Sequence, residues 1–174
     1  IRSALESLER CELSGTYAVS ARIMAFCRLP ESRLRRVKED VQLLLSAFKN
    51  RMKGWGYSIY GEAYAFDPCI CQFAALALSH AKDRGIDVPR EIFKCIRTLF
   101  IHYQNEDGGW SYQLGGESRG SMTAAGYATL NLCHRQSPPS KSIEHIEQAA
   151  RYSAFRWLSN HAHGDSNPNA HSWI

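Results

Sequence analysis

Lys53-Gly54-Trp55-Gly56-Tyr57 returns as Gly108-Gly109-Trp110-Ser111-Tyr112, a spacing of 55 residues from Trp55 to Trp110, and each copy leads into a run of small residues of helical length. A period of this length means that one supersecondary unit is repeated, and a unit that cannot bury its own apolar face must stack on its neighbours. The runs are Gln72-Phe73-Ala74-Ala75-Leu76-Ala77-Leu78 and Thr123-Ala124-Ala125-Gly126-Tyr127-Ala128-Thr129-Leu130, with a weaker earlier copy from Tyr17 to Met24. Tyr17, Gln72 and Thr123 therefore mark equivalent helix starts, and their separations leave room for a second helix and a loop in every unit.

The second helices are visible as one-sided apolar stripes. Residues 31–49 carry Leu34, Val37, Val41, Leu44, Leu45 and Phe48; residues 89–103 carry Ile92, Phe93, Ile96, Leu99, Phe100 and Tyr103; residues 140–160 carry Ile143, Ile146, Ala149, Ala150 and Trp157. Arg33, Arg35, Arg36, Lys38, Glu91, Lys94, Arg97, Glu144 and Glu147 are expected on the watered side. The small-residue runs are nearly uncharged and read as an inner layer buried on both sides. Asp87 before Val88-Pro89 reads as an N-cap, and Gly54, Gly108 and Gly109 as helix-ending glycines.

With 174 residues and 44% hydrophobic content the chain can form one domain with a core. We expect a single repeat domain over 1–174, with units of about 1–55, 56–110 and 111–165 and the start of another at 166–174. Because the chain opens on Ile1, and Asn167 to Ile174 reads as a loop running into another inner helix, it is expected to be a fragment cut at both ends, exposing an apolar face. No stretch is long and apolar enough for a transmembrane helix. Six cysteines without a CxxC pair, mostly in predicted helices, read as free thiols, several of them on buried faces. The net charge of +4 comes partly from Arg33, Arg35, Arg36 and Lys38, which interleave with Leu34 and Val37; this is a solvated helix face, and no nucleic-acid partner is expected.

Phe100-x-x-x-Gln104-Asn105-Glu106-Asp107-Gly108-Gly109-Trp110 resembles the QW motif of the squalene cyclase and prenyltransferase repeat superfamily: an aromatic or Leu, three residues, Gln, a short spacer and Gly-x-Trp. The other copies are degenerate, with Lys49 standing where Gln104 would. The chain looks most like bacterial repeat proteins of unassigned activity in that superfamily. The resemblance implies an all-α fold, the α/α toroid of helical hairpins around a central apolar cavity. It implies either a terpenoid cyclase-like or prenyltransferase-like activity on an isoprenoid-like small molecule, or a non-catalytic scaffold that binds a ligand or a protein partner. Gln104 is expected to bond free helix-end groups while Trp110 fills the gap between helices.

No complete catalytic motif accompanies the repeat. Squalene-type cyclases use an Asp-x-Asp-Asp acid, absent here, and Glu106-Asp107 lies in the QW turn, where exposure or capping is expected. Protein prenyltransferases hold zinc with an Asp-x-Cys pair and a later His. Asp67-Pro68-Cys69 stands at the first place, but Gly120 or Ser121 at the second supplies no ligand. Metal and cofactor are accordingly not expected, with Asp67 a helix cap and Cys69 a packing residue. The residues expected to meet a ligand, from their place at the inner-helix entrances, are Tyr57, Tyr60, Asp67, Gln72, Tyr112, Arg119 and Thr123.

Overall fold

The computed structural model describes residues 2–30, 33–48, 54–61 and 66–161, so the expectations for Lys49 and for Asn167 to Ile174 lie outside the described residues. Seven α-helices are present among them: α1 (Arg2–Arg10), α2 (Thr16–Phe26), α3 (Leu34–Ala47), α4 (Pro68–Asp83), α5 (Arg90–His102), α6 (Gly120–Gln136) and α7 (Lys141–His161). No strand occurs among the described residues beyond an isolated antiparallel bridge between Gly15 and Ser58. The fold is all-α, and no described helix is long and apolar enough to cross a membrane.

The small-residue helices form one row, α2 on α4 and α4 on α6. Around them α3 packs on α2 and α4, α5 on α4 and α6, and α7 on α6 and α5. The row begins earlier than the apolar runs suggest. Its helices start at Thr16, Pro68 and Gly120, 52 residues apart in both steps, because Pro68 to Cys71 forms a capped first turn ahead of Gln72 and Gly120 to Met122 an extra turn without a side-chain cap ahead of Thr123. At α5 the N-cap position is taken by Pro89 itself, whose carbonyl receives the Ile92 amide, and Asp87 is left exposed, capping nothing.

The two Gly-Trp turns share one wiring. Trp55 and Trp110 are fully buried; the Trp55 indole donates to the Leu44 carbonyl at 2.8 Å and the Trp110 indole to that of Phe100 at 2.9 Å. Both acceptors sit in the last turn of their helices, α3 and α5, where carbonyls have no intrahelical partner. Tryptophan, not Gln104, therefore closes the helix end. Gln104 instead donates to Gly108 O at 2.7 Å and to Ala150 O at 2.9 Å, tying the turn to α7. Gly54 and Gly108 do have positive φ (66° and 92°), but they lie beyond the caps Phe48 and Tyr103 and shape the turn around the tryptophan instead of ending a helix; Gly109 has no positive φ.

Buried charge is the feature that periodicity misses. Arg97 and Glu147, expected in water, are both buried, with Arg97 Nε 2.6 Å from Glu147 Oε2 and His134 Nδ1 2.9 Å from Oε1. The buried face of α7 is accordingly Glu147, Ala150, Ala154 and Trp157, and the expected stripe residues Ile143, Ile146 and Ala149 are exposed. Arg22 of α2 and Asp40 of α3 make a second buried pair, bidentate at 2.7 Å for both contacts. Of the basic cluster expected in water on α3, Arg35 and Lys38 are exposed, whereas Arg33 lies half-buried over Phe26 and Arg36 half-buried with its Nε 3.6 Å from the buried Asp40, since the α3 face they share turns toward α1 and α2.

Asp107 in the turn before Trp110 accepts from Gly109 N at 2.9 Å, Ser118 Oγ at 2.7 Å and Trp157 Nε1 at 2.9 Å. Burial alone would raise its carboxyl pKa; these donated bonds and the nearby His161 outweigh it and hold the group below its ordinary value. A depressed carboxyl contributes stability that is present above its unfolded pKa, about 3.9, and is lost as pH falls through the folded value. Asp107→Asn should therefore be less stable than the parent at pH 7, and the gap should close when urea midpoints are compared near pH 2 to 3.

Gly126 of α6 lies against the Trp110 indole so closely that a Cβ there would press into the ring. Helix propensity favours Ala over Gly by about 1 kcal/mol, yet overpacking a tight contact costs about 1 to 3 kcal/mol. Gly126→Ala should lower the urea midpoint, while Gly85→Ala, at a positive-φ position with open space around it, tests backbone strain alone.

Candidate functional site

The N-terminal ends of α2, α4 and α6 lie at one end of the inner row, and the chain from Gly54 to Gly61 is strapped there by two backbone bonds and the Thr16 hydroxyl. Thr16 N donates to Tyr57 O at 2.9 Å, Ile59 N to Ser14 O at 2.8 Å, and Thr16 Oγ1 to Gly56 O at 2.5 Å. This strap carries Tyr57 over the first turn of α2, where its ring lies 6.0 Å from that of Tyr17. Tyr17 in turn meets Phe73 of α4 edge-on at 5.1 Å. The result is an aromatic cluster built from two helices and a turn.

Asp67 supplies its charge. Held in extended conformation ahead of Pro68, it caps α4, its Oδ1 accepting from Cys69 N at 2.9 Å and Ile70 N at 3.1 Å. The Asp67 carboxylate is also the leading cause of a raised Tyr57 phenol pKa, ahead of partial burial and of Cys69 and Tyr112. Tyr17 is pushed up well above the ordinary tyrosine value, first by burial and then by Cys69, Asp67 and Tyr57. The groups thus sense one another across the helix entrances. On the far side the Arg119 guanidinium sits 5.7 Å over the Tyr112 ring, a cation–π contact.

Of the seven residues expected to meet a ligand, five fall on this end in usable positions. Tyr57 and Tyr112 are exposed, and Asp67, Gln72 and Arg119 are half-buried. Tyr60 is 76% exposed and belongs to the rim, together with Leu114 at 62%. Thr123 is a correction. It is fully buried, its Oγ1 accepting from Trp110 N at 3.1 Å, so it anchors the turn and leaves the set. Cys71, the residue 52 earlier, plays the same part beside Trp55, and burial pushes its thiol up to about 12.

The expected set omitted Tyr17 and Phe73. The signal for Tyr17 lies in the 52-residue register of the helix starts, which aligns Tyr17, Cys69 and Ser121 at the second position of the three inner helices. The same register aligns Met24, Leu76 and Ala128, of which the first two are half-buried and the third exposed. An uncharged, partly open face thus runs along the inner row away from the aromatic end.

As a zinc site the arrangement does not fit. Among the described residues no three His, Cys, Asp or Glu side chains gather to hold a metal ion, and Asp67 Oδ1 is already engaged by two backbone amides. What the end offers a ligand is aromatic surface, one carboxylate, one thiol and one guanidinium. No protein family model, no curated protein and no solved structure matches the chain.

The cause assigned to the Tyr57 shift can be separated from the cap. Asparagine caps a helix about as well as aspartate, so Asp67→Asn should leave thermal stability nearly unchanged while the Tyr57 pKa falls toward its ordinary value. Tyr17, raised chiefly by burial, should move less. Tyrosine ring carbon shifts followed by NMR across alkaline pH read both; an unmoved Tyr57 would remove Asp67 as the cause.

Proposed function

We propose that this chain is a stretch of an α/α toroid of the squalene cyclase and prenyltransferase repeat superfamily, and that the open face of its inner row is part of the wall of an apolar cavity for an isoprenoid-like molecule. The array reading is supported by the shared wiring of the Trp55 and Trp110 turns and by inner-helix starts at Thr16, Pro68 and Gly120. The observation that carries the ligand reading is the set of uncharged side chains Tyr17, Met24, Phe73 and Leu76, left half-buried on α2 and α4. Apolar side chains left half-open suit contact with an extended hydrocarbon chain, and Tyr57, Tyr112 and Arg119 stand at the aromatic end of the row.

A second reading, a non-catalytic scaffold for a protein partner, is favoured by one observation. Tyr57, Tyr60, Tyr112 and Leu114 are all strongly exposed at the same end of the row, and exposed apolar groups of this kind are what interfaces use. The absence of an Asp-x-Asp-Asp motif from the sequence also suits binding without turnover.

A fluorescent farnesyl analogue titrated into the complete native polypeptide decides between them. Micromolar saturable binding, about 8 kcal/mol, should weaken at least tenfold in Leu76→Asp and stay unchanged in Tyr60→Ala. No saturable binding, or equal binding by the Leu76 variant, would remove the isoprenoid reading and leave the protein-binding one.

A further inference from the structure

Twice in this fold a buried arginine, held by a buried carboxylate, collects backbone carbonyls at the C-terminal end of a neighbouring helix. Arg22, paired with Asp40, donates to Leu8 O at 3.0 Å and Cys11 O at 2.6 Å, at the end of α1. Arg97, paired with Glu147, donates to Cys133 O at 3.1 Å and to Ser137 O, at the end of α6. Free carbonyls and the negative pole of the helix both favour a cation there.

Arg151 has the carboxylate but not the helix end. The buried residues Glu147, Ala150 and Ala154 of α7 repeat the spacing of Phe93, Ile96 and Phe100 of α5, which puts Arg151 in the place of Arg97. Its Nε lies 3.6 Å from Glu147 Oε1 and has no hydrogen-bond partner among the described residues, while its Nη1 donates only to the Asn131 side chain at 3.1 Å.

Beside Arg151 runs a groove of about 690 Å³ between α6 and α7, lined by Tyr127, Asn131, Ala149, Tyr152 and Phe155. Tyr152 and Phe155 are 63% and 54% exposed. In the 52-residue register Tyr127 and Asn131 correspond to Ala75 and Ser79 of α4. Those two are buried, Ser79 beneath Arg135 and Gln136 of α6, each 2.9 Å from its hydroxyl. The side of α4 that α6 covers therefore recurs on α6, uncovered.

We propose that the α6–α7 groove is the seat of a further inner-row helix, supplied by the polypeptide that follows α7 and presenting its C-terminal carbonyls to Arg151. The inference rests on the array part of the reading above. It continues an interface already made twice, α2 on α4 and α4 on α6. The groove is thus a site for a helix in cis, and among its polar residues Arg151 is the cation such a helix end needs.

Ala149→Cys places a thiol in the groove at an exposed position, and its maleimide labelling rate, read by peptide mass mapping, reports whether the groove is covered. The rate should be at least tenfold slower in the complete native polypeptide than in the 174-residue chain. Adding Arg151→Ala should raise it again. Equal rates in the two proteins would overturn the proposal. So would protection of the 174-residue chain itself that dilution abolishes, since the occupant would then be a second copy. Isoprenoid binding is read on the inner face with Leu76→Asp, so failure of either reading is visible without the other.

Discussion

Everything in this fold depends on the indole N–H of a buried tryptophan satisfying a carbonyl that a helix leaves bare. Trp110 bonds Phe100 in the last turn of α5, lies against Gly126 of α6, and through its backbone amide meets Thr123. One residue thus fixes the end of an outer helix, the position of an inner one and the path of the turn between them. Trp55 does the same for α3 and α4, with Cys71 in the role of Thr123. Losing a buried aromatic of this size costs about 3 to 5 kcal/mol in packing alone, and the bare carbonyl would add to it.

The second constraint is electrostatic. Glu147 draws Arg97, His134 and Arg151 together from α5, α6 and α7, and Asp40 fastens Arg22 between α3 and α2. Pairs of this kind gain little over an apolar core of the same shape, but removing one partner leaves a buried charge and costs about 3 to 5 kcal/mol. Their value lies in placement. Arg22 and Arg97 end on helix-terminal carbonyls, so these charge pairs help to set where the neighbouring helices stop, and with them the register of the row that carries the aromatic end.

That register explains the candidate site. Tyr17, Asp67 and Arg119 are far apart in sequence, yet each stands at or next to the first turn of an inner helix. Once the row is aligned they share one end, and the strap bearing Tyr57 closes over it. Hydrogen bonds at the turn before Trp110 then hold Asp107 between Ser118 and Trp157, which ties the loop entering α6 to α7. The fold and its aromatic end are assembled by the same bonds.

Much of this was legible in the amino-acid order. The repeated Gly-Trp, the uncharged runs and the outer stripes predict an all-α chain and place α3 and α5 within a few residues, because helix period and helix ends are local properties. Asp67 before Pro68 was readable as a cap for the same reason. Tertiary structure alone decided the rest. It buried Arg97 and Glu147, whose desolvation is tolerable only when each finds the other across two helices, and it turned Ile143 and Ile146 outward in exchange. It gave the helix-closing bond to Trp110 and moved Gln104 to α7. It withdrew Thr123 from the surface and brought Tyr17 and Phe73 to Tyr57. Periodicity states which side of a helix is apolar, whereas which polar side chain can afford burial depends on a partner distant in sequence, and that partner is chosen only when the helices pack.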